Sequence, residues 1–203
     1  MTEEETPELR HKRKMEKKKA ARDKLMAGKD KQKGLLIVHT GAGKGKSTAA
    51  FGMALRCIGH GMKVGIVQFI KGAWETAERR VFEGFGERVV FKVMGEGFTW
   101  ETQDRERDIA AAGKAWEAAG AMMDDPGYGM VILDELNVAL RYGYLPLAGV
   151  LETLEARRPD LHVVVTGRNA DEALIEQADL VTEMKLVKHP FRGGVKGQPG
   201  IEF

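Results

Sequence analysis

The stretch TGAGKGKST, Thr40 to Thr48, puts three glycines, two lysines and three hydroxyl side chains next to a hydrophobic run. Glycines at Gly41, Gly43 and Gly45 let backbone N–H groups turn inward on phosphate oxygens, with Ala42, Lys44 and Thr48 completing the cradle. Lys46 is placed to reach the phosphates, and the Ser47 hydroxyl to ligate Mg2+ or Mn2+. The widespread pattern is G-x-x-x-x-G-K-[ST]; here only three residues separate Gly41 from Gly45. The loop is therefore either a blurred hydrolase motif or one cut to hold a nucleotide for other chemistry.

A phosphate loop needs a partner acid at the end of a buried strand. GMVILDELN supplies one, with Asp134 and Glu135 after four apolar residues. Asp134 would hold the metal directly or through water. Glu135 has three readings: a second metal contact, a base that activates water, or an acid complementing a helix N-terminus. Arg168, in TGRN, is a candidate nucleotide contact; its alternative is a surface arginine beside a helix capped by Asn169.

The elements that must position these residues are legible from residue 34 onward. GLLIVHT, KVGIVQF, RVVFKVM, MVILDE, LHVVVTG and ADLVTEM are apolar, mostly β-branched runs that suit a parallel sheet buried on both faces. Helical stretches lie between them. The phosphate loop opens one, Lys46 to Ile58, and the clearest spans Thr102 to Met123, ending before Pro126 and Gly127. Alternating strand and helix predicts an α/β fold with right-handed crossovers, a P-loop three-layer sandwich of the RecA-like kind around a mostly parallel sheet of about six strands. The C-terminal stretch KHPFRGGVKGQPGIEF, rich in glycine and proline, reads as a tail ordered by contact.

Charge divides the 203 residues unevenly. Residues 10–33 carry 12 Lys or Arg against 3 Asp or Glu, while residues 34–203 have a net charge of −3. The expected organisation is a basic, partly helical leader over 1–33 and a nucleotide-binding domain over 34–203. A basic arm suits nucleic acid, yet no aromatic residue precedes Phe51, so it lacks a base-stacking platform. A solvated tail is the plainer reading. One cysteine, Cys57, excludes an internal disulfide and reads as a core residue. No apolar run approaches the length of a bilayer span, and the charged N-terminus carries no secretory signal, which predicts a cytoplasmic protein. Among the histidines, His39 reads as a packed polar residue, His60 and His162 as turn or surface positions, and His189 as structural.

Several longer segments go beyond a shared loop. TGAGKGKSTAAFGMALRCIGHGMKVGIVQFIKG, GFTWETQDRERD, VILDELNVALRYGYLPL, VVVTGRNADEALIEQADLVTEM and VKHPFRGGVKGQPGIEF closely resemble the ATP:corrinoid adenosyltransferases, over essentially residues 34–203. In that family the short loop is usual, most often G-N-G-K-G-K-T. Here Ala42 replaces the asparagine and Ser47 the threonine, which keeps the hydroxyl and loses one side-chain contact.

The resemblance implies transfer of the 5′-deoxyadenosyl group from ATP to the Co(I) centre of a reduced corrinoid, with inorganic triphosphate released. It implies that Phe98 and Trp100 press on the lower face of the corrin and, with Lys46, serve the reaction; read without it, they are core aromatics as readily. It also implies a nucleotide reversed in its loop, an electron donor such as a flavoprotein, and a homodimer whose leader helix covers the partner's corrinoid site. Cobalt brings the nucleophile, so the protein has to align the ribose carbon and stabilise the leaving triphosphate. The competing readings are a P-loop ATPase using Glu135 at the γ-phosphate, and a nucleic-acid-binding module.

Overall fold

The computed structural model describes residues 6–70, 77–94 and 104–201. These fall into two compact units, Met1–Gln32 and Lys33–Phe203. The first holds one helix, α1 (Pro7–Met26), whose start is set by Thr6: its hydroxyl accepts from Leu9 N at 3.3 Å, and Pro7 supplies a pre-set φ. Its basic residues run all around the helix, and none of its side chains is buried.

In the second unit the six apolar runs form strands β1 (Leu36–Thr40), β2 (Lys63–Gln68), β3 (Val89–Val93), β4 (Tyr128–Asp134), β5 (His162–Thr166) and β6 (Leu180–Glu183). They make one sheet in the order β3-β2-β4-β5-β1-β6, and every pairing is parallel. Parallel neighbours need crossovers, supplied among the described residues by α2 (Lys46–Gly59), α3 (Ala77–Glu83), α4 (Arg105–Asp124), α5 (Leu136–Arg141), α6 (Leu147–Glu155) and α7 (Glu172–Gln177).

Two-residue periodicity divides the strand side chains between two cores. Val38, Val67, Leu133 and Val165 pack with Ala112, Ala115, Ala119 and Met122 of α4 and with Leu154 of α6. On the other face Ile37, Ile66, Ile132 and Val164 meet Ala50, Phe51 and Ala54 of α2 and Phe82 of α3. This is the expected three-layer sandwich, with the sheet wholly rather than mostly parallel. Each fully buried Val, Leu or Ile contributes about 1.5–3 kcal/mol of transfer free energy, so the middle strands anchor the unit. The small alanines of α4 let that helix lie close to the sheet. Its N-cap is Asp104, accepting from Arg107 N at 3.1 Å; the expected start at Thr102 lies outside the described residues.

The entry to β1 is tied down by the residue that leads into its neighbouring strand, β6. Asp179 accepts from Leu36 N at 2.9 Å and from Lys33 Nζ, and the lysine hydrogen bond holds its carboxyl below the usual carboxylate range. His162 departs from the turn or surface position expected of it. It opens β5, half-buried, and its Nδ1 accepts from Leu35 N at 3.1 Å, because the strand starts one residue before the apolar run. Among the described residues the C-terminal tail contains one 3-10 turn, Pro190–Gly193, capped by the ring of His189. Cys57 is half-buried on α2 with its Sγ 3.8 Å from Met130 Sδ. Among the described residues no helix is long and apolar enough to cross a membrane.

Candidate functional site

Burying a polar side chain is costly unless something satisfies it, so the location of such residues is informative. Among the described residues, the buried polar side chains are His39, Thr40, Lys46, Gln68, Asp134, Asn137 and Thr166. His39 and Thr40 end β1, Gln68 ends β2, Asp134 ends β4 and Thr166 ends β5; Lys46 and Asn137 stand in the first turns of α2 and α5. All seven therefore gather at the C-terminal edge of one parallel sheet, where α/β folds bind ligands.

The glycine-lysine loop leaves β1 at this edge. Gly41 and Gly45 take φ values of +96° and +100°, which only glycine adopts without strain. Gly45 also caps α2 with no side-chain hydrogen bond, so the first N–H groups of the helix face the loop interior unclaimed by a cap. The loop is strapped from outside by the chain leaving β6. Gly43 N donates to Met184 O at 2.6 Å, and Met184 N donates to Thr40 O at 2.8 Å. Lys46 turns back inside the loop, its Nζ donating to Gly41 O at 3.0 Å and Gly43 O at 2.5 Å. Burial pulls the lysine pKa down, Arg168 and Lys44 pull it further, and the Glu135 and Asp134 carboxylates oppose them. Lys44 is lowered by its own burial and by Arg168. Three cations thus converge on a loop of N–H donors, an arrangement that a polyphosphate neutralises.

The acid of the site is Asp134, 1% exposed. Its Oδ1 accepts from Thr166 Oγ1 at 2.7 Å and its Oδ2 from Gln68 Nε2 at 3.0 Å, and the Ser47 hydroxyl is close enough to the same carboxylate to act on its pKa. Burial raises its pKa, and these hydrogen bonds act against the rise. The neighbouring Glu135 has a left-handed backbone, φ 61°, and no capping bond to α5. Glu135 nevertheless stands at the N-cap position of α5, where an acid lies beside the helix N-terminus without a capping bond. Burial first, then the Asp134 charge, lifts the Glu135 carboxyl to about 7.

That shift has a thermodynamic sign. Between the ordinary value of 4.5 and about 7, the unfolded chain is ionised at Glu135 and the folded chain is not. The folded state then binds more protons, so stability falls as pH rises through this window and levels off above it. Chemical denaturation at pH 4.5 and pH 7.5 is expected to show this loss in the native protein and a clearly smaller one in Glu135→Gln.

The loop residues 41–48 and the pair Asp134–Glu135, far apart in sequence, are thus brought together. Arg168 lies on the exposed turn after β5, and its charge acts on Lys44, Lys46 and Glu135. Asn169 is not the helix cap. It takes a left-handed φ of 54°, and α7 is capped two residues later by Asp171, which accepts from Ala173 N at 3.0 Å. Phe98 and Trp100 lie outside the described residues. His39 is packed as expected, its pKa lowered by burial, with both ring nitrogens lacking a hydrogen-bond partner. Gln68 and Thr166 were not singled out from sequence; the signal available was one polar residue closing each of the runs KVGIVQ and HVVVT.

The donor set near Asp134 is all oxygen: two carboxylates and the Ser47 hydroxyl. Among the described residues no group of three or more His, Cys, Asp or Glu forms a closed cage. Such a set suits Mg2+ or Mn2+ shared with the phosphates of a ligand, since Mg2+ keeps several of its positions for water and phosphate oxygen.

Comparison with known proteins agrees with this chemistry. A family model described as ATP:corrinoid adenosyltransferase BtuR/CobO/CobP matches residues 32–203. A corrinoid adenosyltransferase of Pseudomonas aeruginosa is 57% identical over 201 residues, covering 98% of this chain and 99% of that protein. One from Sinorhizobium is 59% identical over 201 residues, with 98% and 94% covered. The corrinoid adenosyltransferase CobA of Salmonella typhimurium is 46% identical over 194 residues, with 96% and 98% covered.

Proposed function

The chain belongs to the ATP:corrinoid adenosyltransferase family, and from that premise we propose how its residues carry out the ATP-dependent adenosylation of a corrinoid. The observation that carries the reading is the convergence of Lys44, Lys46 and Arg168 with Asp134 and Ser47 at one sheet edge. The substrate corrinoid reacts as Co(I). Its electron pair forms the cobalt–carbon bond at the ribose C5′, and the C5′–O5′ pair leaves with inorganic triphosphate. No protein nucleophile is needed.

The chain's own residues bind and stabilise. Loop N–H groups and the N-terminus of α2 hold the triphosphate, and Lys46 exchanges the carbonyls of Gly41 and Gly43 for phosphate oxygens. As the bond breaks, negative charge grows on the leaving oxygens, so these donors stabilise the transition state more than the ground state. Ser47 and Asp134, with Glu135 beside them, would hold Mg2+ or Mn2+. When bound, such an ion supplies charge neutralisation on the phosphates. Arg168 contacts the nucleotide, which lies reversed relative to ordinary P-loop enzymes. Phe98 and Trp100 press on the corrin's lower face and exclude its axial ligand, which eases reduction to Co(I). An electron donor such as a flavoprotein supplies that electron. We place the reaction in the cytoplasm, in a homodimer whose basic leader covers the partner's corrinoid site, with the leader over 1–33 distinct from the nucleotide- and corrinoid-binding domain over 34–203.

The test incubates the protein anaerobically with Mg·ATP and chemically reduced cobalamin. The expected products are adenosylcobalamin, seen by its cobalt–carbon spectrum, and triphosphate in equal amount. ADP and phosphate formed without any corrinoid would overturn the reading in favour of an ATPase.

A further inference from the structure

The strand between β1 and β4 in the sheet is β5, so its last side chain, Thr166, stands between the phosphate loop and the acid pair. We propose that Thr166 is a positioning residue that orients both carboxylates with a single hydroxyl; this rests on the metal-binding reading given above for Asp134 and Glu135.

The polarity of its hydrogen bonds follows from elementary chemistry. The backbone N–H of Glu135 can only donate, and it reaches Thr166 Oγ1 at 2.9 Å. The hydroxyl is therefore the acceptor there, and its one proton is free for Asp134 Oδ1 at 2.7 Å. On the other side of β4, Gln68 occupies the position paired with Asp134 in β2 and donates to Oδ2 at 3.0 Å. The carboxylate is thus held from both neighbouring strands, with its plane fixed. The bond to Glu135 N acts on the second acid differently. Glu135 sits in a left-handed turn, φ 61°, which a non-glycine residue adopts at a cost and only where surroundings enforce it. Thr166 captures the N–H of that turn, and Asn137 Nδ2 donates to Gly167 O at 3.0 Å just beyond. The crossing is close: a Cβ on Gly167 would sit 2.8 Å from Asn137 Cβ and 3.2 Å from Glu135 Oε2. Removing the hydroxyl leaves the Asp134 carboxylate held from one side only, by Gln68, and frees the backbone N–H of Glu135.

Two substitutions separate this role from simple packing, because they predict opposite orders. If Thr166 only fills space, valine keeps its shape and is tolerated, whereas serine leaves a small void. If it positions the acids, serine is tolerated and valine is not. We expect Thr166→Ser to keep Mn·ATP affinity within about threefold of the native protein and Thr166→Val to lose about tenfold or more, the scale of a lost hydrogen bond to a charged group. The measurement is the fraction of bound Mn2+ by electron paramagnetic resonance in the presence of ATP. If the valine variant fails to fold, Thr166→Ala is compared with Thr166→Ser in its place.

A metal-free measurement distinguishes failure of this proposal from failure of the metal reading. The Glu135 amide of the protein alone is expected to exchange slowly by NMR in the native and serine proteins, and about tenfold faster without the hydroxyl. Native protein that takes up no Mn·ATP overturns the metal reading, and with it the functional part of the proposal. Valine or alanine variants that keep native Mn·ATP affinity and native Glu135 exchange overturn the positioning role itself.

Discussion

Replacing Lys46 with methionine is expected to lower the rate of adenosylcobalamin formation by about 10²–10³-fold, the range for removing one group aimed at developing charge. Methionine keeps the stem and removes only the cation. The Lys46 ammonium lies inside the loop on Gly41 O and Gly43 O, with the opposing charges of Glu135 and Asp134 close enough to act on it. Nothing else in the loop can take its place: Lys44 is on the exposed side and Arg168 is on the turn after β5. The reaction is followed with Co(I) supplied chemically, so that electron delivery does not limit it. A variant that retains its thermal unfolding temperature and more than a third of the native rate would remove Lys46 from the reaction.

Gly41→Ala is expected to abolish ATP binding while leaving most of the sheet intact. The position carries two separate penalties. Its φ of +96° disfavours any side chain by about 1–3 kcal/mol. An added Cβ would also lie 2.5 Å from Met184 O and 2.8 Å from Met184 N, both backbone atoms that cannot swing aside. The loop has to leave its strap, and with it go the N–H groups that would cradle phosphate. Calorimetric titration with Mg·ATP reads the loss directly. Ala42, one residue on, is exposed and makes an internal control: Ala42→Asn is expected to bind ATP at least as well as the native chain, because it restores the residue usual in the resembling family. Loss of binding at Gly41 and retention at Ala42 together report the strap rather than a general sensitivity of the loop.

These expectations rest on features that sequence revealed to different depths. The six strands were legible because each is an apolar, β-branched run; burial on both faces leaves that pattern in β1, β2, β4 and β5, while the edge strand β6 carries it although its side chains are exposed. The loop and Asp134–Glu135 were legible for a related reason: their chemistry is local, a run of glycines or an acid closing a strand. Gln68 and Thr166 carry no such local mark. Each is a lone polar residue ending a strand, and its meaning comes from register, β2 and β5 lying on either side of β4. The same limit explains Asn169. A polar residue before a helix reads as a cap, but the chain needs a left-handed turn there first, which moves the cap to Asp171. His162 was misplaced because its hydrogen bond to Leu35 N crosses 127 positions of sequence.

The strap itself has a consequence for how the protein comes apart. All four residues of β6 are exposed, and the strand lies at the end of the sheet with one neighbour, β1. Edges of this kind open in sub-global steps that cost less free energy than unfolding the core. Because Met184 continues directly from β6, each such opening also unmakes the phosphate loop. The fraction of molecules competent to take up nucleotide is then set by the weakest cooperative unit of the sheet, and a ligand held in the loop raises the stability of that unit before any other.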